Sequence, residues 1–289
     1  ILFMKIIKYF IEFILIIIFF FIFKILGYKN ATNFGEIIGK KFGPLFRSNY
    51  KIKKNLENSK IGNSEKDRKN IINNMWGNYG RIFAEYMYIK KYRKNNLSNN
   101  IEIIGQNILE EIKNNNKPVI FISGHFNNFE LMAMHIEKSG VDLAAIYRPL
   151  NNKFLNPLME KIRIKYICKK QIKKGISGTK EILKHFKVGT SIALMIDQRV
   201  SEGISCNFFN NKALTTTIPA QFVKKFNCRV VPIYIERKNK YQFRLEIHKP
   251  LEFLNNETIE TITSNLNEIL EKMVKRNPDQ WIWTHDRWK

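Results

Sequence analysis

An unbroken apolar run from Phe13 to Phe23, inside "MKIIKYFIEFILIIIFFFIFKILGYKN", limits what this chain can become. Extended to Ile6 and Leu26, it makes a helix of roughly 30 Å, about the thickness of a bilayer's hydrocarbon core. Lys5 and Lys8 precede it, and Lys24 and Lys29 follow. A cleaved signal peptide would start the same way, but the bulky "KILGYKN" offers no small-x-small cleavage site. The expectation is therefore an uncleaved membrane anchor over residues 1–30, with Met4 as its natural start. Glu12 interrupts the apolar stretch, which places it at the interface or the helix within one leaflet. Lys40, Lys41, Arg47, Lys51, Lys53 and Lys54 come soon after, so the positive-inside tendency leaves residues 31–289 in the cytoplasm.

That remainder shows no repeat and no Pro- or Ser-rich linker, and reads as one domain. "ENSKIGNSEKDRKN" (Glu57 to Asn70) is a loop or helix start, followed by an amphipathic helix from about Asp67 to Tyr88. Strands and helices then alternate. "PVIFIS", "DLAAIY", "SIALMI", "RVVPIYIE" and "YQFRLEIHKPL" are strand-like. "NFELMAMHIEKSG", "NKFLNPLMEKIRIKY", "SGTKEILKHFKVG", "TTIPAQFVKKFN" and "NETIETITSNLNEILEKMVKRNP" are helical, the first with Asn127 or Asn128 as cap and Gly140 as stop. The pattern predicts an α/β fold with a central mixed or mostly parallel sheet flanked by helices.

The alternation also gathers chemistry. His125 follows "PVIFIS", Arg148 follows "DLAAIY" and Asp197 follows "SIALMI". Parallel neighbours would release all three along one carboxyl edge, where open α/β sheets hold ligands. Within "SGHFNNFE", His125 and Glu130 form the minimal general-base device: a carboxylate orients the imidazole, whose other nitrogen takes a proton from a hydroxyl. A loop His and a Glu favoured in a first helical turn explain the pair equally well.

A metal site fares worse, because His125, Glu130 and His135 stand five apart and each step of five turns a helix by about 140°. No HExxH, GxSxG or glycine-rich phosphate loop occurs, so Ser123 and Cys206 lack a nucleophile's context and no cofactor is expected. Cys168, Cys206 and Cys228 lie far apart with no CxxC, as in a reduced, non-secreted domain.

Lys and Arg number 49 against 25 Asp and Glu, a net charge of +24. A Lys/Asn/Ile-rich coding bias accounts for abundant Lys, but it should enrich Glu as well. The excess favours anionic partners: nucleic acid, anionic lipid or an acidic carrier protein. No nucleic-acid-binding motif accompanies the charge, so a non-enzymatic basic module rests on charge alone.

Several blocks taken in order resemble the lauroyl/myristoyl acyltransferase family of lipid A biosynthesis. "SGHFNNFE" looks like its H-x4-D/E motif, a spacing that glycerolipid acyltransferases share. "MWGNYGRIFAEY", "IYRPLNNKFLNPLMEKIR", "ALMIDQR", "NFFNNKALTTTIPAQFVKKFNCRVVPIYIER" and "PDQWIWTHDRWK" are similar to its later blocks. The resemblance implies a glycerolipid-acyltransferase-like fold with His125 as base and Glu130 as its partner. It also implies Arg163 and Asp197 as further catalytic residues and Arg148 as substrate-binding. The donor would be an acyl carrier protein thioester and the acceptor a lipid A precursor, or another lipid hydroxyl such as that of a lysophospholipid, glycolipid or ornithine-type lipid. The protein would sit in the inner membrane, facing the cytoplasm, without nucleic acid. Asn210 stands where the family usually has glycine after Phe-Phe, and Asn tolerates left-handed backbone. The spacer between Arg163 and Asp197 is slightly longer than usual. Trp281, Trp283 and Trp288 suit a membrane interface; for Trp281 and Trp283 packing into the domain serves as well.

Overall fold

A computed structural model describes residues 2–289. Helix α1 (Leu2–Phe46) carries the apolar run and is broken at Gly27, where φ is 73° and ψ is 164°. A Cβ there would touch nothing within 4 Å, so it is the backbone conformation that calls for glycine. The segment before the break is long and apolar enough to cross a membrane. Phe20 and Phe23 are buried against the body, whereas Phe3, Ile6, Ile7, Phe21 and Ile25 are exposed.

The segment after the break is held by glycines. Gly35, Gly39 and Gly43 recur every four residues on one face of α1 and meet α3 (Glu65–Glu85). A Cβ on Gly80 would lie 1.8 Å from the Gly35 carbonyl oxygen, and one on Gly39 would lie 2.1 Å from that of Trp76. Neither backbone has room to yield. Gly80→Ala is therefore expected to lower the thermal midpoint in detergent by several degrees, since overpacking a tight contact costs about 1–3 kcal/mol. A variant that melts with the wild type would mean the two helices sit further apart. Arg81 and Glu36 close the same interface with an ion pair.

Helix α2 (Asn49–Ser59) and a short turn precede α3, whose start is fixed by a capping box between Ser64 and Asp67. A 3₁₀ turn at Tyr86–Tyr88 and α4 (Ile89–Arg93) lead into the sheet. It continues through β1 (Ile101–Ile104), α5 (Gln106–Asn115), β2 (Ile120–Ser123), α6 (Glu130–Lys138), β3 (Leu143–Tyr147), α7 (Leu155–Tyr166), β4 (Lys170–Lys173), α8 (Ile176–Lys187) and β5 (Ser191–Met195). The hairpin of β6 (Ile204–Phe208) and β7 (Asn211–Thr215) follows, then α9 (Ile218–Phe226), β8 (Val230–Asn239), β9 (Gln242–Ile247) and α10 (Ile259–Arg276).

Seven strands form one sheet in the order β1-β9-β8-β2-β5-β3-β4. The run from β8 to β4 is parallel, β9 is antiparallel to β8, and β1 is parallel to β9. This is the expected mixed, mostly parallel sheet. Strand β2 sits in the middle with every side chain buried, as its β-branched, unalternating composition requires. Asn210, with φ of 58°, and Phe209, with φ of 52°, make the left-handed turn of the β6–β7 hairpin, so asparagine does serve where glycine is usual.

Candidate active site

The register of β2 on β5 builds the site. Ser123 pairs with Met195, and the Ile196 N–H donates to the Ser123 carbonyl, so the ladder runs on past both strand ends. Two residues beyond each, His125 and Asp197 fall opposite one another. The His125 ring Nδ1 lies 2.8 Å from Asp197 Oδ1, and the His125 backbone N–H donates to Asp197 Oδ2 at 2.7 Å. Trp281 Nε1 donates to the same Oδ2 at 2.9 Å.

Burial alone would raise the Asp197 carboxyl. Its electrostatic interaction with the His125 imidazole and the hydrogen bonds from His125 and Trp281 outweigh it and hold the group below its ordinary value. An ionised carboxylate only accepts, so the proton sits on Nδ1 and Nε2 is left as the basic nitrogen. Phe129 packs edge-on against the ring at 4.9 Å between centroids.

Glu130 is not the partner of His125 here. It opens α6 with its carboxylate turned toward α7 and the 3₁₀ turn that follows α3, where three donors occupy it. Tyr86 Oη donates to Oε2 at 2.6 Å, and Arg163 Nε and Nη2 both donate to Oε1, at 2.9 and 2.6 Å. The expected His125–Glu130 dyad is thus replaced by two pairs, His125–Asp197 and Glu130–Arg163. The physical reason is the strand register, which sets Asp197 directly across from His125, while the first helical turn aims Glu130 elsewhere. Glu130 outweighs burial and raises the Arg163 guanidinium above its usual value, and burial with the neighbouring carboxylate pushes the Tyr86 phenol up. Arg163 Nη1 is buried and has no protein acceptor among the described residues.

Arg148 does follow β3 on the same carboxyl edge. Strand β5 separates β3 from β2, so the two strands lie about 10 Å apart and Arg148 is not a neighbour of His125 in the ladder. It is exposed and has no carboxylate partner among the described residues. His135 instead pairs through Nε2 with Gln106 at 2.7 Å, so His125, Glu130 and His135 face three different partners. The Ser123 hydroxyl is turned onto Met132 Sδ, and all three cysteines are free, with Cys168 and Cys228 pushed up to about 12 by burial.

Residues to which the sequence pointed for other tasks complete the site. Trp281 and Trp283 are buried inside the domain, and Trp288 donates to the Phe208 carbonyl, so the three indoles are pinned to the body. Asn127 and Asn128 do not cap α6 with their side chains; they join a buried network with Glu85 and Arg237. The only signal for Trp281 was the "PDQWIWTHDRWK" block itself. Trp281→Phe keeps a ring but removes the donor to Asp197. It is expected to lower kcat roughly tenfold, a hydrogen bond to a charged acceptor contributing about 1.5–3 kcal/mol. Unchanged kcat would show that the two remaining bonds suffice.

The chain belongs to the bacterial lipid A biosynthesis acyltransferase family, whose model matches residues 3–289. It is 23% identical over 183 residues to lipid A biosynthesis acyltransferase 2 of Shigella flexneri, an alignment covering 62% of this chain and 58% of that protein. It is 23% identical over 269 residues to the lipid A biosynthesis palmitoleoyltransferase of Escherichia coli K12, covering 91% of this chain and 86% of the relative. Among solved structures it is similar to the 1-acyl-sn-glycerophosphate (LPA) acyltransferase of Thermotoga maritima. There the TM-score is 0.41 at 13% identity, over 88% of this chain and 96% of the other.

Proposed function

We propose that this protein transfers a fatty acyl chain from an acyl carrier protein thioester to a hydroxyl of a lipid A precursor, with His125 as general base. The observation that carries the reading is the His125–Asp197 pair at the carboxyl edge of the sheet, in a chain of this family. His125 Nε2 takes the acceptor's hydroxyl proton as that oxygen attacks the thioester carbonyl carbon. The new C–O bond forms, the oxyanion collapses, the C–S bond breaks, and the imidazolium returns its proton to the leaving thiolate. Asp197 stays ionised throughout and stabilises the imidazolium. Arg163, fixed by Glu130 with Nη1 still unpaired, offers a donor to the oxyanion or to an acceptor phosphate. Arg148 offers a second cation on the same edge for the phosphates.

The surroundings suit those substrates. The apolar half of α1 leans on the body where α7 begins: Phe10 and Phe13 pack on Phe154, and Asn152 Nδ2 donates to the Tyr9 carbonyl at 2.8 Å. Glu12 lies on this inner side, near Lys8 and Asn152. The exposed apolar face of α1 would lie in the inner membrane and hold the carboxyl edge of the sheet at its cytoplasmic surface. The net charge of +24 favours an acidic carrier protein and anionic lipid.

Membranes bearing the wild type or His125→Ala, given acyl carrier protein thioesters with a lipid A precursor or a lysophospholipid, test the reading. Lipid mass spectrometry is expected to find the precursor acylated by the wild type alone. Equal acylation by His125→Ala would sink the mechanism. Acylation confined to the lysophospholipid would move the acceptor to the second lipid class.

A further inference from the structure

We infer that the buried Glu85–Arg237 pair is a positioning element for catalysis, setting the loop between His125 and Glu130 through Asn127 and Asn128. The inference rests on His125 being the base. Residues Gly124 to Phe129 have a demanding task. Within a few residues the chain must turn His125 toward the end of β5 and Glu130 toward Tyr86 and α7.

It does so through Asn127, whose φ of 44° is left-handed. Asparagine tolerates that conformation better than most side chains, and here its neighbours hold it there. Three bonds do so. Arg237 Nη2 donates to Asn127 Oδ1 at 3.0 Å, Asn127 Nδ2 donates to Gln280 Oε1 at 2.8 Å, and the Asn127 backbone N–H donates to the Gln280 carbonyl at 2.9 Å. Asn128 Nδ2 donates to Glu85 Oε2 at 3.1 Å, and the Asn128 N–H donates to Asn127 Oδ1 at 2.9 Å.

Behind the two asparagines, Arg237 grips Glu85 with both terminal nitrogens, at 2.6 and 3.1 Å. Glu85 is fully buried at the end of α3, and Arg237 is nearly so on β8. Gln280 closes the ring by accepting from the Arg237 N–H and donating to its carbonyl. An ion pair at this depth adds little net stability, because desolvation offsets most of the attraction. What this one does supply is geometry. It links α3, β8 and the C-terminal segment to the single loop that carries His125 and leads into Glu130. The same C-terminal segment brings Trp281 to Asp197.

The test is steady-state kinetics on purified full-length protein. Glu85→Gln keeps the shape but removes the carboxylate, and Asn127→Gly keeps the left-handed backbone but removes the side-chain ties. Both are expected to lower kcat about 10²-fold with KM for donor and acceptor unchanged, the effect of a misplaced base in a bound complex. Glu236→Gln is the matched control. Its residue is next on the same strand, is equally buried, and pairs with Arg276, but bonds to nothing in the 124–129 loop. It is expected to lower the thermal midpoint while leaving kcat intact.

Wild-type kcat in folded Asn127→Gly overturns the inference, as does an equal kcat loss in Glu236→Gln. If Glu85→Gln fails to fold, Asn127→Gly decides. His125→Ala in the same assay separates the failures. Full activity there removes the functional reading itself, whereas an inactive His125→Ala beside a fully active Asn127→Gly removes only the positioning role.

Discussion

Asp197→Asn is expected to reduce acyl transfer about 10²–10⁴-fold, nearly as far as His125→Ala, in a protein that stays folded. The reason lies in which oxygen is already engaged. Oδ2 accepts from both the His125 backbone N–H and Trp281 Nε1, so an asparagine must keep its carbonyl oxygen there. Its amide group then faces His125 Nδ1 as a donor. An imidazole that accepts at Nδ1 carries its proton on Nε2, and the basic nitrogen is lost. Steady-state kinetics should show the loss in kcat with little change in KM, because the bound geometry is preserved. Wild-type kcat in Asp197→Asn would show that His125 needs no carboxylate at Nδ1 to act as the base.

How much of this was legible beforehand depends on where the information resides. Alternating strand and helix signals were local, and they placed His125, Arg148 and Asp197 at strand ends without any knowledge of pairing. Strand order was not local. Nothing in "PVIFIS" or "SIALMI" says that β5 inserts between β2 and β3, so the choice between Glu130 and Asp197 could not be made by counting residues. Proximity in sequence favoured Glu130, and proximity in space favoured Asp197.

The short edge strands β1 and β4 and the β6–β7 hairpin also escaped notice. "IEII" and "KQIK" are too brief and too mixed to show a period, and they become strands because a neighbour pairs with them. The glycine face of α1 was visible as "GEIIGKKFG", but its meaning needed α3 beside it. Trp281 shows the limit from the other side. An indole near basic residues suits a membrane interface equally well, until the fold buries it against a carboxylate.

Glu130 and Arg163 should reveal themselves through stability first. Glu130→Gln leaves the Arg163 guanidinium buried beside a neutral amide, and Arg163→Met leaves the Glu130 carboxylate with Tyr86 alone. Breaking a buried pair from one side costs about 3–5 kcal/mol, which corresponds to a midpoint lowered by on the order of 10 °C. Replacing both, as Glu130→Leu with Arg163→Met, removes the unpaired charge and is expected to restore most of that stability.

Activity should not return with it. If Arg163 Nη1 meets an oxyanion or a phosphate, the apolar double variant regains most of its stability but remains at least 10²-fold slower, the usual effect of losing one such donor. A purely structural pair behaves differently, with stability and kcat recovering together. Thermal unfolding and kinetics on the two single variants and the double variant therefore separate the two roles. Full activity in a refolded double variant would confine Glu130 and Arg163 to holding α6 against α7, and leave the chemistry to His125 and Asp197.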